Sequence, residues 1–232
     1  MKSRLKKLVS LQDLRRVGVV LPAHEISLEP MLGLMLHQIS DRMSVHYARL
    51  PHGAERPSLS SLSDLIIAAT SLRAAGVEAV LWYWPSAGAV PSDLAELRSI
   101  CEHVSDQVGV PVLASPLALA EVLEHLYVRN IALVTRGAQG ASGAIGRLYE
   151  AAGYQVKREQ VLNGTQGASL PFAQIRQKVL EANDPGAGCL VVDAINCPAA
   201  LVVDELEHQL KKPVIDGVTA SVWKMLRTLG IS

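Results

Sequence analysis

Val17-Gly18-Val19-Val20-Leu21-Pro22-Ala23-His24-Glu25 passes from an unbroken apolar run into a polar tip, with proline at the join. A run that is apolar at every position buries both of its faces, as strands of a parallel sheet do, and proline ends the hydrogen-bond ladder. The pattern returns at Ile131-Ala132-Leu133-Val134-Thr135 and at Cys189-Leu190-Val191-Val192-Asp193. Outward from these, the same reading predicts strands at Val17–Leu21, Ser44–Leu50, Ala79–Trp84, Val110–Ala114, Ile131–Thr135, Gln155–Val161, Cys189–Asp193 and Pro213–Ile215.

Amphipathic stretches between them predict helices at Glu29–Asp41, Ser60–Ala75, Ser92–Val108, Pro116–Tyr127, Gly140–Ala152, Pro171–Ala182, Ala199–Leu210 and Ala220–Leu229. Ser92 followed by Glu96 reads as a helix N-cap, and Gly76, Gly109 and Gly153 suit left-handed C-terminal positions. Strand and helix alternate up to about Leu119 and again from Val128, so the chain reads as a duplicated unit of about a hundred residues. The fold class expected is α/β, two pseudo-symmetric Rossmann-like halves, each a four-stranded parallel sheet flanked by helices. Residues 1–116 with 218–232 make the first half in this reading, and 117–217 the second.

Ligands of such sheets gather outside the carboxyl ends of strands, where strand order reverses. The tips to inspect are Pro22-Ala23-His24-Glu25 and Pro85-Ser86-Ala87-Gly88 in the first half. Their counterparts are Thr135-Arg136-Gly137-Ala138-Gln139 and Asp193-Ala194-Ile195-Asn196-Cys197.

Composition narrows the function. Lys+Arg and Asp+Glu both number 22, which leaves no bulk field for a polyanion, and nucleic acid is not expected as a partner. No apolar run approaches the ~18 residues that span a bilayer, so no membrane partner is expected. The basic start, Met1 to Arg16, lacks the apolar stretch of a secretory signal. The three cysteines, Cys101, Cys189 and Cys197, form neither a disulfide framework nor a metal knuckle, which fits a reducing, cytoplasmic setting and no bound metal. The run Gly137, Gly140, Gly143, Gly146 lacks the GxGxxG spacing of a dinucleotide loop.

Arg16-Val-Gly-Val-Val-Leu-Pro22, Glu29-Pro30 and Val45-His46-Tyr47-Ala48-Arg49 resemble the opening of bacterial maleate cis-trans isomerases, which belong with arylmalonate decarboxylases to the aspartate/glutamate racemase superfamily. Leu206-Glu207, Lys212-Pro213-Val214-Ile215, Ala220, Trp223 and Leu229-Gly230-Ile231 are similar to the family's closing helix, strand and helix. The resemblance implies cofactor-independent proton transfer, isomerisation or decarboxylation of a small carboxylic acid in the cleft between halves, and a homodimer. Non-catalytic binding of a small acid is the rival reading.

The family's chemistry uses tuned thiols on the third-strand tips and preorganised donors for negative charge. Here the first-half thiol position falls near Pro85 and the second near Ala194, with Asp193 beside it. A two-thiol mechanism is therefore not expected. The remaining catalytic candidates are Cys197, as a thiol before a helix; Asp193, a carboxyl ending an apolar strand; and the pair His24 and Glu25 on the first loop. Ser86, Ala87 and Gly88 offer a hydroxyl and turn amides to a carboxylate. Thr135, Arg136 and Asn196 offer a hydroxyl, a guanidinium clamp and an amide, provided that Arg136 points inward rather than to solvent. Each also has a plain reading: Cys197 as packing, Asp193 as a helix cap or amide partner, Arg49 as an anchor for a neighbouring loop. Trp82 and Tyr83 leave opposite faces of their strand, as core packing or as a bulky wall where a thiol would stand.

Overall fold

The structure, a computed structural model, describes residues 13–51, 59–83, 91, 93–136, 143–163 and 169–231. The candidates Ser86, Ala87 and Gly88, and with them Trp84, Pro85, Gly137 and Gly140, lie outside the described residues. The strands are β1 (Arg15–Pro22), β2 (Met43–Leu50), β3 (Ala79–Trp82), β4 (Val112–Ala114), β5 (Asn130–Arg136), β6 (Gln155–Leu162), β7 (Cys189–Asp193) and β8 (Val214–Asp216). The helices are α1 (Leu28–Met35), α2 (Leu59–Ala74), α3 (Leu94–Val108), α4 (Ser115–His125), α5 (Ala144–Ala151), α6 (Phe172–Ala182), α7 (Val203–Leu210) and α8 (Gly217–Thr228). Two expected helices are partly resolved into tighter single turns, at His37–Ile39 after α1 and at Ala199–Leu201 before α7.

Two four-stranded sheets form, in the orders β2-β1-β3-β4 and β6-β5-β7-β8, and every pair in them is parallel. Strand order reverses between β1 and β3 and between β5 and β7, so the four tips picked out in the sequence follow the central strands. Burial explains the unbroken apolar runs: Val17, Val19 and Leu21 share a core with α1 and α8, while Val20 joins α2 and α3 on the other face. Gly18 lets α2 sit close to β1, since a Cβ there would come within 2.9 Å of Leu72 Cδ1.

The cap of α3 is one residue later than expected. Asp93, not Ser92, holds it, accepting from Glu96 N–H at 2.7 Å. An extended residue with a short carboxylate satisfies an amide that the first turn leaves unpaired. Gly109 closes the same helix at φ +78°, a conformation that costs a Cβ-bearing residue energy.

The helix that closes each repeated run of strands and helices packs on the sheet of the other run. Val218, Val222, Met225 and Leu229, in and just after α8, share a core with Val17, Val19 and Leu81 of the first sheet. In return, Tyr154 of the second half donates to the Ala120 carbonyl of α4 at 3.1 Å, and Leu119 and Leu123 share a core with Ile131 and Val191. Each fully buried Leu or Val in such a layer stabilises the fold by about 1.5–3 kcal/mol. Among the described residues no helix is long and apolar enough to cross a membrane.

Candidate active site

The tip after β1 folds back on itself. Glu25 N–H donates to the Pro22 carbonyl, and the Glu25 side chain turns inward until it is fully buried. Its Oε1 accepts from Ser27 N–H (2.6 Å), Ser27 Oγ (2.7 Å) and Leu28 N–H (2.9 Å), which caps the start of α1. Its Oε2 accepts from the backbone N–H of Asn196 at 2.7 Å, 171 residues away and in the other half. The Asn196 side chain completes the link by accepting from Ile26 N–H (2.7 Å) and donating to the His24 carbonyl (2.9 Å). Asn196 sits at φ +50°, in the left-handed region that asparagine tolerates better than most residues.

Two arginines brace this junction. Arg136 turns inward and is 6% exposed; its Nη1 donates to the carbonyls of Ile195 (3.2 Å) and Asn196 (3.3 Å). Burial lowers its pKa from the usual value, opposed by the nearby Cys197 and Glu25. Arg49 donates to the carbonyls of Pro22, Ala23 and Glu25 and pairs with Glu29 at 2.6 Å, the loop-anchoring role weighed in the sequence.

Cys197 follows directly and is 2% exposed. Burial pushes its thiol up to about 12, with Asp216 adding to the rise and Arg136 opposing it. At neutral pH this group holds its proton. Cys101 and Cys189 are also pushed to about 12 by burial, and both pack in the core shared by the halves.

The opposite face of the second sheet carries Thr135 and Asp193, which are register partners on β5 and β7. Thr135 Oγ1 donates to Glu159 on β6 at 2.9 Å, so its hydroxyl is directed along the sheet. Asp193 accepts from the buried Tyr149 hydroxyl at 3.3 Å. Among the described residues neither a helix cap nor an amide is its partner. Burial raises its carboxyl to about 6, and the Tyr149 hydrogen bond restrains the rise.

Two further residues reach this junction: Tyr83, which the sequence offered as core packing or as a bulky wall, and Asp216, which it did not single out. Tyr83, one residue past β3, is 3% exposed, and burial holds its phenol well above the ordinary value, reinforced by Glu25, Asp216, Asp193 and Cys197. Asp216 ends β8 and caps α8, accepting from Val218 N–H (2.8 Å), Thr219 N–H (3.2 Å) and Thr219 Oγ1 (2.9 Å). Its signal was legible, since Asp216-Gly217-Val218-Thr219 has the spacing of a reciprocal cap. The structure thus brings together Glu25, Asn196, Arg136 and Cys197, with His24 attached through its carbonyl; Asp193 reaches the group through its field on Tyr83. A separate cavity of about 330 Å³ between α4 and α8, lined by Val122, His125, Leu126, Ile215 and Trp223, contains none of them.

Solved structures with this fold are known. A cysteine-to-serine variant of the Nocardia farcinica maleate cis-trans isomerase, carrying a covalently bound succinylcysteine intermediate, is 22% identical and aligns over 94% of both chains with a TM-score of 0.82. A maleate isomerase from Pseudomonas putida is 18% identical over 94% of both chains, with a TM-score of 0.80. Arylmalonate decarboxylase is 17% identical, covering 94% of this chain and 93% of its own, with a TM-score of 0.77. The chain has the maleate isomerase and arylmalonate decarboxylase fold. In sequence, a maleate isomerase of Alcaligenes faecalis is 23% identical over 128 residues, a match that spans about half of each protein, 53% of this chain and 51% of the relative. No family model matches the chain.

Proposed function

We propose that this chain is a cofactor-independent enzyme that moves a proton on a small carboxylic acid bound between its halves, with Cys197 as the proton donor. The observation that carries the reading is the convergence of Arg136 and Cys197 with the Glu25 and Asn196 junction at the point where both sheets reverse strand order. A buried guanidinium attracts a carboxylate, and a thiol that keeps its proton at neutral pH can deliver it to a carbanion or enediolate. The working division in this reading is 1–116 with 218–232 against 117–217, because α8 lies in the first half's core.

A second reading within the same chemistry is decarboxylation, and the thiol's state favours it over covalent isomerisation. Attack on a double bond needs a thiolate, and burial at Cys197 opposes one. One donor on one side suffices to protonate the enediolate left when carbon dioxide departs. Binding without turnover is the outcome that would set both aside.

Purified protein incubated in deuterated buffer with maleate, phenylmalonate and phenylacetate, followed by proton NMR and by carbon dioxide release, separates these cases. Exchange or isomerisation without gas supports the proton-transfer isomerase, and gas supports the lyase. Cys197→Ala should lower turnover by about 100-fold or more, the scale of losing a general acid. Binding of an acid with neither exchange nor gas would leave a binding protein.

A further inference from the structure

Tyr83 leaves its strand on the same face as Ala79 and Leu81 and shares a core with Ile195 of the second half and Val218 of α8. The end of its ring lies against the start of α8, where a Cβ on Gly217 would come within 3.8 Å of the hydroxyl oxygen. Among the described residues this hydroxyl makes no hydrogen bond, and although the ring is buried the oxygen itself is not fully so, which leaves it an edge open to a small molecule. Buried tyrosines ordinarily find a partner for that group. The two others here do so, Tyr149 on Asp193 and Tyr154 on the Ala120 carbonyl.

The carboxyls whose charge acts on Tyr83 each accept hydrogen bonds from other groups. Glu25 is held by Ser27, Leu28 and Asn196, Asp216 by the first turn of α8, and Asp193 by Tyr149. A donor without a partner among the described residues is thus left where α8 begins, beside the groups assigned to the acid's site.

We propose that the Tyr83 hydroxyl is a substrate-binding donor that completes its hydrogen bond on a carboxylate oxygen of the acid in the cleft, alongside Arg136. This deepens the function proposed above and rests on it. Burial and the surrounding carboxyls keep the phenol protonated, so it gives a hydrogen bond and retains its proton. It serves to hold the oxygen on which negative charge grows when the neighbouring carbon becomes a carbanion.

Tyr83→Phe removes the hydroxyl and keeps the ring. Calorimetric titration of wild type and variant with maleate, phenylmalonate and phenylacetate is compared with the ligand-free melting temperature of each. The expected result is an affinity about 10- to 100-fold lower in the variant for each acid that binds wild type, with a ligand-free melting temperature equal to wild type or a few degrees higher. Equal affinities would overturn the role of Tyr83 and leave the proposed function standing. A ligand-free melting temperature several degrees lower would overturn it as well, since the hydroxyl would then have a structural partner. If none of the acids binds wild type, the function proposed above fails and this inference with it.

Discussion

At Asn196 a single side chain carries two hydrogen bonds across the junction and a left-handed backbone at once. Asn196→Ala is expected to cost about 2–3 kcal/mol, the sum of two neutral hydrogen bonds and the conformational penalty. Asn196→Gly should be milder by about 1 kcal/mol because glycine accepts that conformation freely. Urea denaturation of both variants measures the difference, and equal losses would show that the backbone geometry contributes nothing. Asp193 supplies a pH signature. Its carboxyl rises from 3.8 to about 6 on folding, so the folded chain holds a proton that the unfolded chain releases between those values. Stability should therefore fall as pH climbs from about 4 through about 6, by up to about 3 kcal/mol. Asp193→Asn should flatten that segment of the stability profile; an unchanged slope would assign it to other groups. The sequence marked Asp193 as a polar end to an apolar strand, and Glu25 as a polar tip. It gave no hint that Tyr149 partners the first or that Asn196 occupies the second, because both partners arrive from distant segments.

Among the secondary elements, β1 and α2 meet at a contact that leaves no room for a methyl group. Gly18→Ala would drive a Cβ against Leu72, and overpacking of this kind costs about 1–3 kcal/mol. Combining it with Leu72→Ala should destabilise less than the sum of the single changes, as a double-mutant cycle in denaturant would read; strict additivity would place the clash elsewhere. The central strands β1, β3, β5 and β7 were legible because continuous burial writes itself into continuous apolar runs, whereas the edge strands β2 and β6 are only partly buried and carry no such run. Helix starts were less so: Ser92 and Asp93 are both good caps, and only the chain's path decides which one faces the Glu96 amide. The direction of Arg136 was undecidable for a similar reason, since strand parity gives a face while the carbonyls of Ile195 and Asn196 give the direction.

Across the molecule, the cleft residues and the shared helices tie the two sheets into one unit. Thermal or urea unfolding is expected to follow a single transition, coincident by tryptophan fluorescence and far-ultraviolet circular dichroism. Two separated transitions would mean that the halves fold independently in spite of these contacts. The duplication was visible as a repeated order of elements. The junction was not, because a hydrogen bond between residues 171 apart leaves no periodic trace.

The reciprocal placement of α4 and α8 bears on what a divided chain could do. A lone half, made as a free polypeptide, would have a terminal helix whose apolar side has no sheet of its own to cover. Two such polypeptides could satisfy each other only by trading those segments, so a chain cut between the repeats would hold together only as an obligate pair.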